Sequence, residues 1–331
     1  MDRIVVIAGP TASGKTALSV ALAKALGGEV ISADSMQLYR GMDIGTAKVT
    51  SEEMDGVPHH MIDVAEPEEA FSVARYVEEA DPILQDILAR GKTAVIAGGT
   101  GLYVDALVKG RTFAPYPETG KREALEREAD ALGMEAMLER LKTVDPDSGA
   151  RLHLSDRKRI LRALEVYEET GKTITRHNLE TQMVPDKYSP VWIGLDFARR
   201  EDLYRRIDLR VERMVEQGLL EEIRTLLRRG VPRGCTAMQA IGYRSSRRAK
   251  SSPTAMQAIG YKEFFPVLDG TMELGAAVET AKRESRRYAK RQLTWFRRNS
   301  RIAWIYQKEN PDFSEVFQQA LGKIPFFDGG M

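Results

Sequence analysis

The residues best suited to chemistry lie in Gly9-Pro-Thr-Ala-Ser-Gly14-Lys15-Thr16. Their spacing matches G-x-x-x-x-G-K-[ST]. In that pattern the glycines turn backbone N–H groups onto phosphate oxygens at a helix N-terminus, the lysine neutralises the terminal phosphates and the threonine hydroxyl can ligate Mg²⁺. The apolar run Arg3–Ile7 before the loop reads as a buried strand, and "LSVALAKAL" after it carries helical spacing. Phosphate binding is not yet NTP hydrolysis. An ordinary P-loop NTPase also has an apolar strand ending in an acid that holds the metal, whereas "TAVIAGGTG" ends in glycines and Thr100. The acid stands instead at the end of another strand, as Asp34. A diphosphate ester has the charge and shape of the outer two phosphates of ATP, so the loop can hold either.

Asp34 has three readings: a magnesium ligand through water, a general base, or the cap of the next segment. Thr100, in "GGTGLY", either approaches a ligand closely or caps the next helix. Arg206 and Arg210 are four apart on one helix face and could clamp a diphosphate or merely be solvated; the same holds for Arg159 and Arg162, three apart. From Ala281 to Arg301 nine Lys or Arg face one acid, Glu284. Their interleaving with Tyr288, Trp295 and Phe296 suits RNA, the cations on phosphate and the rings for packing or base stacking. His59 and His60 have no cysteine near them and read as loop structure, not as metal ligands.

These groups need a scaffold. At 331 residues, with 43% apolar and 29% charged residues and a net charge of +1, the chain is an ordinary globular protein of two domains or one with a large insertion. The single cysteine, Cys235, excludes an intramolecular disulfide and a cysteine-based zinc site. The first apolar run is too short for a signal peptide and no run is long enough to span a bilayer, so a cytoplasmic enzyme without a membrane partner is expected. Strands at the first apolar run, at "GEVISADS" and at "TAVIA" alternate with helical segments, which predicts an α/β fold with a parallel sheet flanked by helices. Ligands in such sheets bind at the carboxyl ends of the strands, where Ser13–Thr16, Asp34 with Ser35, and Thr100 all fall. Residues 112–188 read as a helical insertion, and residues 1–111 with 189–331 as the catalytic core. "PVWIGLDF" returns to the sheet, and long helices follow from Arg200 to Gly230 and near the C-terminus. "TAMQAIGY" occurs twice, at 236–243 and 254–261. Two copies are too few for a solenoid, so a local duplication is expected, with the second copy in the native position.

Taken together, "GPTASGKT", "ISADSMQLYRGMDIGTAK", "PHHMIDV", "AGGTGLYVDAL", "RALEVYEETGK", "RIDLRVERMVEQGLLEE", "AMQAIGYKE" and "YAKRQLTWFR" resemble the tRNA dimethylallyltransferase (isopentenyltransferase) family, bacterial type, from about Val5 to Arg298. The resemblance implies a P-loop NTPase-like core. It also implies transfer of a dimethylallyl group from dimethylallyl diphosphate to N6 of an adenosine beside the tRNA anticodon, with release of pyrophosphate. Carried over by residue, Gly9, Thr11, Ala12, Ser13, Gly14, Lys15, Thr16 and Arg210 would hold the diphosphate, with Mg²⁺ on Thr16. Asp34, Thr100 and Arg210 would be catalytic. Asp34, Ser35, Met36, Gln37, Thr100, Arg122, Arg159, Arg162, Arg287 and Arg291 would contact the anticodon stem-loop of tRNA, with no DNA partner and the enzyme a monomer. The second "TAMQAIGY" departs from the family pattern. The competing readings are a P-loop small-molecule kinase, an isopentenyltransferase for free adenine nucleotides and a non-catalytic RNA-binding module.

Overall fold

The computed structural model describes residues 2–111, 119–183, 185–233, 235 and 261–326. The duplicated "TAMQAIGY" segment, apart from Tyr261, and the start of the expected insertion at 112–118 lie outside them. In chain order the elements are β1 (Ile4–Ala8), α1 (Lys15–Ala25), β2 (Glu29–Ser32), α2 (Ser51–Met54), β3 (His59–His60), α3 (Val73–Ala89), β4 (Ala94–Ala97) and α4 (Gly101–Lys109). Next come α5 (Lys121–Val144), α6 (Pro146–Arg151), α7 (Arg157–Thr170) and α8 (Ile174–Met183). The chain continues with β5 (Val191–Phe197), α9 (Arg200–Glu216), α10 (Leu219–Arg228), α11 (Phe265–Leu268), α12 (Leu274–Phe296), β6 (Ala303–Gln307) and α13 (Phe313–Leu321).

The strands form one six-stranded sheet in the order β3-β2-β4-β1-β5-β6, every pair parallel. Parallel sheets are covered on both faces and therefore read as unbroken apolar runs; every residue of β1 is buried. One core layer packs α3, α4, α10 and α12 beneath residues such as Ile4, Val6, Ile31 and Ile96. The opposite face, with Val5, Ile7 and Val95, is covered by α1 and α13.

Three expectations are corrected here. His59 and His60 are not loop: they form a short edge strand, registered against Val30 and Ile31. The helix expected from Arg200 to Gly230 is two helices, broken at Gly218, whose φ of +101° is the left-handed conformation that ends α-helical hydrogen bonding. The sheet also gains an unforeseen strand, β6, beyond the basic helix.

Among the described residues the chain divides into two compact units, the first holding residues 2–110 together with 187–233, 235 and 261–326, the second residues 111, 119–183 and 185–186. The second unit is helical, α5 to α8, around its own core of Leu125, Met137, Leu141, Ile160, Leu161 and Leu164.

Candidate active site

The carboxyl ends of β1, β2 and β4 are neighbours in the sheet, so the loops that leave them converge. After β1 the chain wraps the N-terminus of α1. Ser13 is buried and its hydroxyl donates to the Pro10 carbonyl (2.8 Å); Lys15 Nζ donates to the same oxygen (2.6 Å). Ala12 sits at φ +63°, a left-handed conformation that costs a non-glycine residue about 1 kcal/mol. Two glutamines from distant elements brace the loop. Gln292 of α12 accepts from the Thr11 N–H (2.8 Å) and donates to the Gly99 carbonyl (3.0 Å), while Gln307 of β6 donates to the Ser13 carbonyl (2.9 Å). A Cβ at position 99 would run into the Gln292 amide and displace it from this brace. Arg206 lies outside the cleft; its Nε donates to the Ala12 carbonyl (3.2 Å) and its guanidinium stands over the Phe197 ring.

After β2, Asp34 Oδ1 accepts the Met36 N–H (2.9 Å), closing a local turn. Thr100 leaves its own helix uncapped: its hydroxyl accepts the Ser35 N–H (3.0 Å) and donates to Ser35 Oγ (3.2 Å), tying the end of β4 to the Asp34 turn. Tyr288 of α12 is buried beside Gln292 in the cleft wall, and burial, followed by the Asp34 charge, pushes its phenol well above the usual range. Trp295 Nε1 donates to Asp105 (3.0 Å). Tyr288 and Phe296 are buried and Trp295 half-buried, so these aromatics pack along the inward stripe of α12, with Tyr288 also lining the cleft.

Thr11, Lys15, Thr16, Asp34, Gln37, Arg210, Tyr288 and Gln292 line one cleft, whose walls also include Gly45–Ala47, Val30, Val49, His59, Ile62 and Ala97. Burial, then the Arg210 charge, pushes the Lys15 ammonium down to about 7, against the opposing pull of Asp34. Arg210 is itself shifted down by burial and drawn back by Asp34. Its Nη2 donates to the Thr46 carbonyl (3.3 Å), and its Nε has no partner among the described residues. Two cations short of anionic partners, beside one carboxylate, form a receptor for a compact polyanion with a proton acceptor next to it. Burial also lowers the His59 pKa; its Nδ1–H donates to the Val57 carbonyl (2.8 Å), and His59 is a wall of the cleft. Among the described residues no group of three or more His, Cys, Asp or Glu could hold a metal.

The remaining expected site residues divide clearly. Ser35 belongs to the Asp34 turn, whereas Met36 is buried in the core, so only its backbone can face a ligand. Gln37 donates to the Ala47 carbonyl (3.2 Å). Arg287 is exposed and paired with Glu284 (2.6 Å); Arg291 is exposed beside the Tyr288 ring. In the second unit Arg122 and Arg162 both meet Glu165 (3.4 and 2.9 Å), and the exposed Arg159 lies 3.7 Å from Asp156. Sequence reasoning missed Gln292, Gln307 and the buried role of Tyr288. Gln292 sits in the quoted "YAKRQLTWFR", where a glutamine amid so many cations was the available signal.

The IPP transferase family pattern matches residues 37–299. A tRNA dimethylallyltransferase of Geobacillus thermodenitrificans is 46% identical over 330 residues, covering 98% of each chain. A solved tRNA isopentenylpyrophosphate transferase from Bacillus halodurans has 42% identity and a TM-score of 0.68, covering 98% of this chain and 97% of that one. A solved eukaryotic dimethylallyltransferase acting on tRNA has 30% identity and a TM-score of 0.78, covering 97% of this chain and 78% of that one. With the P-loop, the Asp34 turn and Arg210 gathered on a parallel sheet of the kind these relatives share, the chain belongs to the tRNA dimethylallyltransferase family.

Proposed function

We propose that this enzyme transfers a dimethylallyl group from dimethylallyl diphosphate to the exocyclic N6 of the adenosine adjacent to the anticodon in tRNA, releasing pyrophosphate. The observation that carries this reading is the shared cleft of Lys15, Arg210 and Asp34. The N6–C1 bond forms as the allylic C1–O bond breaks, and the bonding pair leaves with pyrophosphate. Charge accumulates on that leaving group, so Lys15 and Arg210 hold it more tightly in the transition state than in the ground state. Asp34 takes the proton lost by N6, a weak amine nucleophile that benefits from a base within hydrogen-bond reach. Thr100 positions the Asp34 turn through Ser35.

Mg²⁺ fits this site. It keeps most of its water and substrate-phosphate ligands and needs only one or two protein oxygens, which the Thr16 hydroxyl and, through water, Asp34 supply. When bound it would add positive charge against the leaving diphosphate. The adenosine must leave its stack to reach the cleft, and single-stranded loops permit that at low cost. Arg287 and Arg291, and Arg122, Arg159 and Arg162 on residues 112–188, are proposed to meet the tRNA backbone. Every residue invoked comes from one chain, so the reading requires no second copy.

Asp34, at the end of β2, could serve a kinase as well as a prenyl transferase; a P-loop kinase reading would need a second, metal-holding acid at the end of a strand flanking β1. The acid near the end of β5, Asp196, is committed to Arg297 (2.9 Å) and to the Phe197 N–H, and does not line the cleft. The test is incubation with Mg²⁺, dimethylallyl diphosphate and unmodified tRNA, digestion of the RNA, and mass spectrometry. An adenosine heavier by one C5H8 unit is expected. Its absence, with turnover of ATP in the same preparation, would replace the prenyl-transfer reading by the kinase one.

A further inference from the structure

The loop of residues 43–47 forms one wall of the cleft through Gly45, Thr46 and Ala47. Its Thr46 carbonyl accepts the one hydrogen bond found for the Arg210 guanidinium among the described residues. A side chain outside the cleft holds that carbonyl in place. Glu222, in α10, accepts three consecutive backbone N–H groups: Asp43 at 2.9 Å, Ile44 at 2.7 Å and Gly45 at 3.0 Å. The hydroxyl of the fully buried Tyr261 donates to the same carboxylate at 2.7 Å. The Tyr261 ring fills the space a Cβ at Gly45 would need, 2.6 Å away. A run of adjacent N–H groups is a natural anion cradle; here the anion is a protein carboxylate. The far end of the loop has separate anchors, Gln37 on the Ala47 carbonyl and Lys48 on the Tyr39 carbonyl (2.8 Å).

We infer that Glu222 is a positioning residue for the donor: by fixing the 43–45 turn it aims the Thr46 carbonyl and, through it, the Arg210 guanidinium at the diphosphate. The inference rests on the reading that Arg210 takes that diphosphate. A glutamine at 222 keeps the size but offers one acceptor oxygen in place of two, and turns an NH2 group toward N–H donors. Arg210 then loses its fixed direction without losing its charge.

The experiment measures inorganic pyrophosphate binding by calorimetry in the presence of Mg²⁺, together with KM for each substrate. Glu222→Gln is expected to weaken pyrophosphate binding about tenfold, a usual cost of loosening a supporting residue. It should raise KM for dimethylallyl diphosphate in proportion and leave KM for tRNA unchanged. In a cycle with Arg210→Ala, the double variant is expected to bind pyrophosphate no more weakly than Arg210→Ala alone, because Glu222 acts through that arginine. Additive losses, or a Glu222→Gln protein that binds pyrophosphate as the parent does, would overturn the inference. Should Glu222→Gln not fold, Gly45→Ala displaces the same turn against the Tyr261 ring and is expected to reproduce the selective loss; parental pyrophosphate affinity in that variant also overturns it. Parent enzyme that binds pyrophosphate but never prenylates tRNA would sink the proposed function and leave the role of Glu222 standing.

Discussion

Lys15 is a residue whose protonation a bound diphosphate is expected to change. Held near 7 by burial and by Arg210, it is largely neutral above that pH in the free enzyme, and a bound diphosphate restores the ammonium. Diphosphate binding is therefore expected to take up a proton between about pH 7 and 10 and to weaken as pH rises through that window. Calorimetry in buffers of different ionisation enthalpy would read the uptake, and Lys15→Met should abolish it. The same depressed pKa means the unfolded chain binds the extra proton in this window, so the free fold gains stability as pH rises across it. Asp34 does two jobs that substitution can separate. Asp34→Asn keeps an oxygen for the Met36 N–H and removes the base, so transfer should fall on the order of 10²-fold with tRNA binding largely intact. Asp34→Ala additionally loses the turn, worth about 1 kcal/mol. Unchanged single-turnover rates in Asp34→Asn would remove it from proton transfer.

At the scale of elements, α12 is the brace of the site. Tyr288, Gln292 and Trp295 recur at helical spacing; Tyr288 lines the cleft, Gln292 reaches Thr11 and Gly99, and Trp295 reaches Asp105. At the amino end of β2, Glu29 serves stability. Its buried carboxylate is held far below the usual range, first by Arg90, then by Lys92 and His60, against the cost of burial. A depressed carboxylate pKa contributes stability that is present above the unfolded value, near 4.5, and is lost as pH falls. Glu29→Gln should cost roughly 2 kcal/mol at neutral pH, discounted because Arg90 and Lys92 are partly exposed, and should make the acid limb of the stability profile shallower. Denaturant melts at pH 7 and pH 4 would check both; equal losses at the two values would contradict the linkage.

At the scale of the molecule, a net charge of +1 hides a concentration of cations on α12. Much of it is used inside the first unit: Lys282 meets Glu212 (2.7 Å), Arg286 meets Asp208 (2.6 Å) and Arg297 meets Asp196 (2.9 Å). Arg287 and Arg291 face solvent, and exposed pairs such as Arg287 with Glu284 are weak. Replacing both by Ala should weaken tRNA binding and lower the slope of log affinity against log salt by about one to two. The same affinity as the parent at every salt concentration would make the patch a solvated surface. Among the described residues no helix is long and apolar enough to cross a membrane.

The sequence by itself pointed to the P-loop, the parallel α/β core and a helical insertion at 112–188, and, with the family resemblance, to Asp34, Lys15, Thr100 and Arg210 as the residues to watch. These are local matters: a glycine pattern, an apolar period, an acid at a strand end. The resemblance pointed to Arg210, but the physical reason that it, and not Arg206, enters the cleft lies in the tertiary structure. Arg206 and Arg210 are indistinguishable by spacing, yet only Arg210 lines the cleft, because that depends on which neighbours α9 packs against. Tertiary structure decided that the aromatics of α12 face inward, and that a two-residue segment too short to show a period is an edge strand. It brought Gln292, Gln307 and Glu222 to loops between 177 and 294 residues away in the chain. Hydrogen bonds across such separations leave no periodic trace in a sequence, since they are specified by the whole fold and by no segment of it.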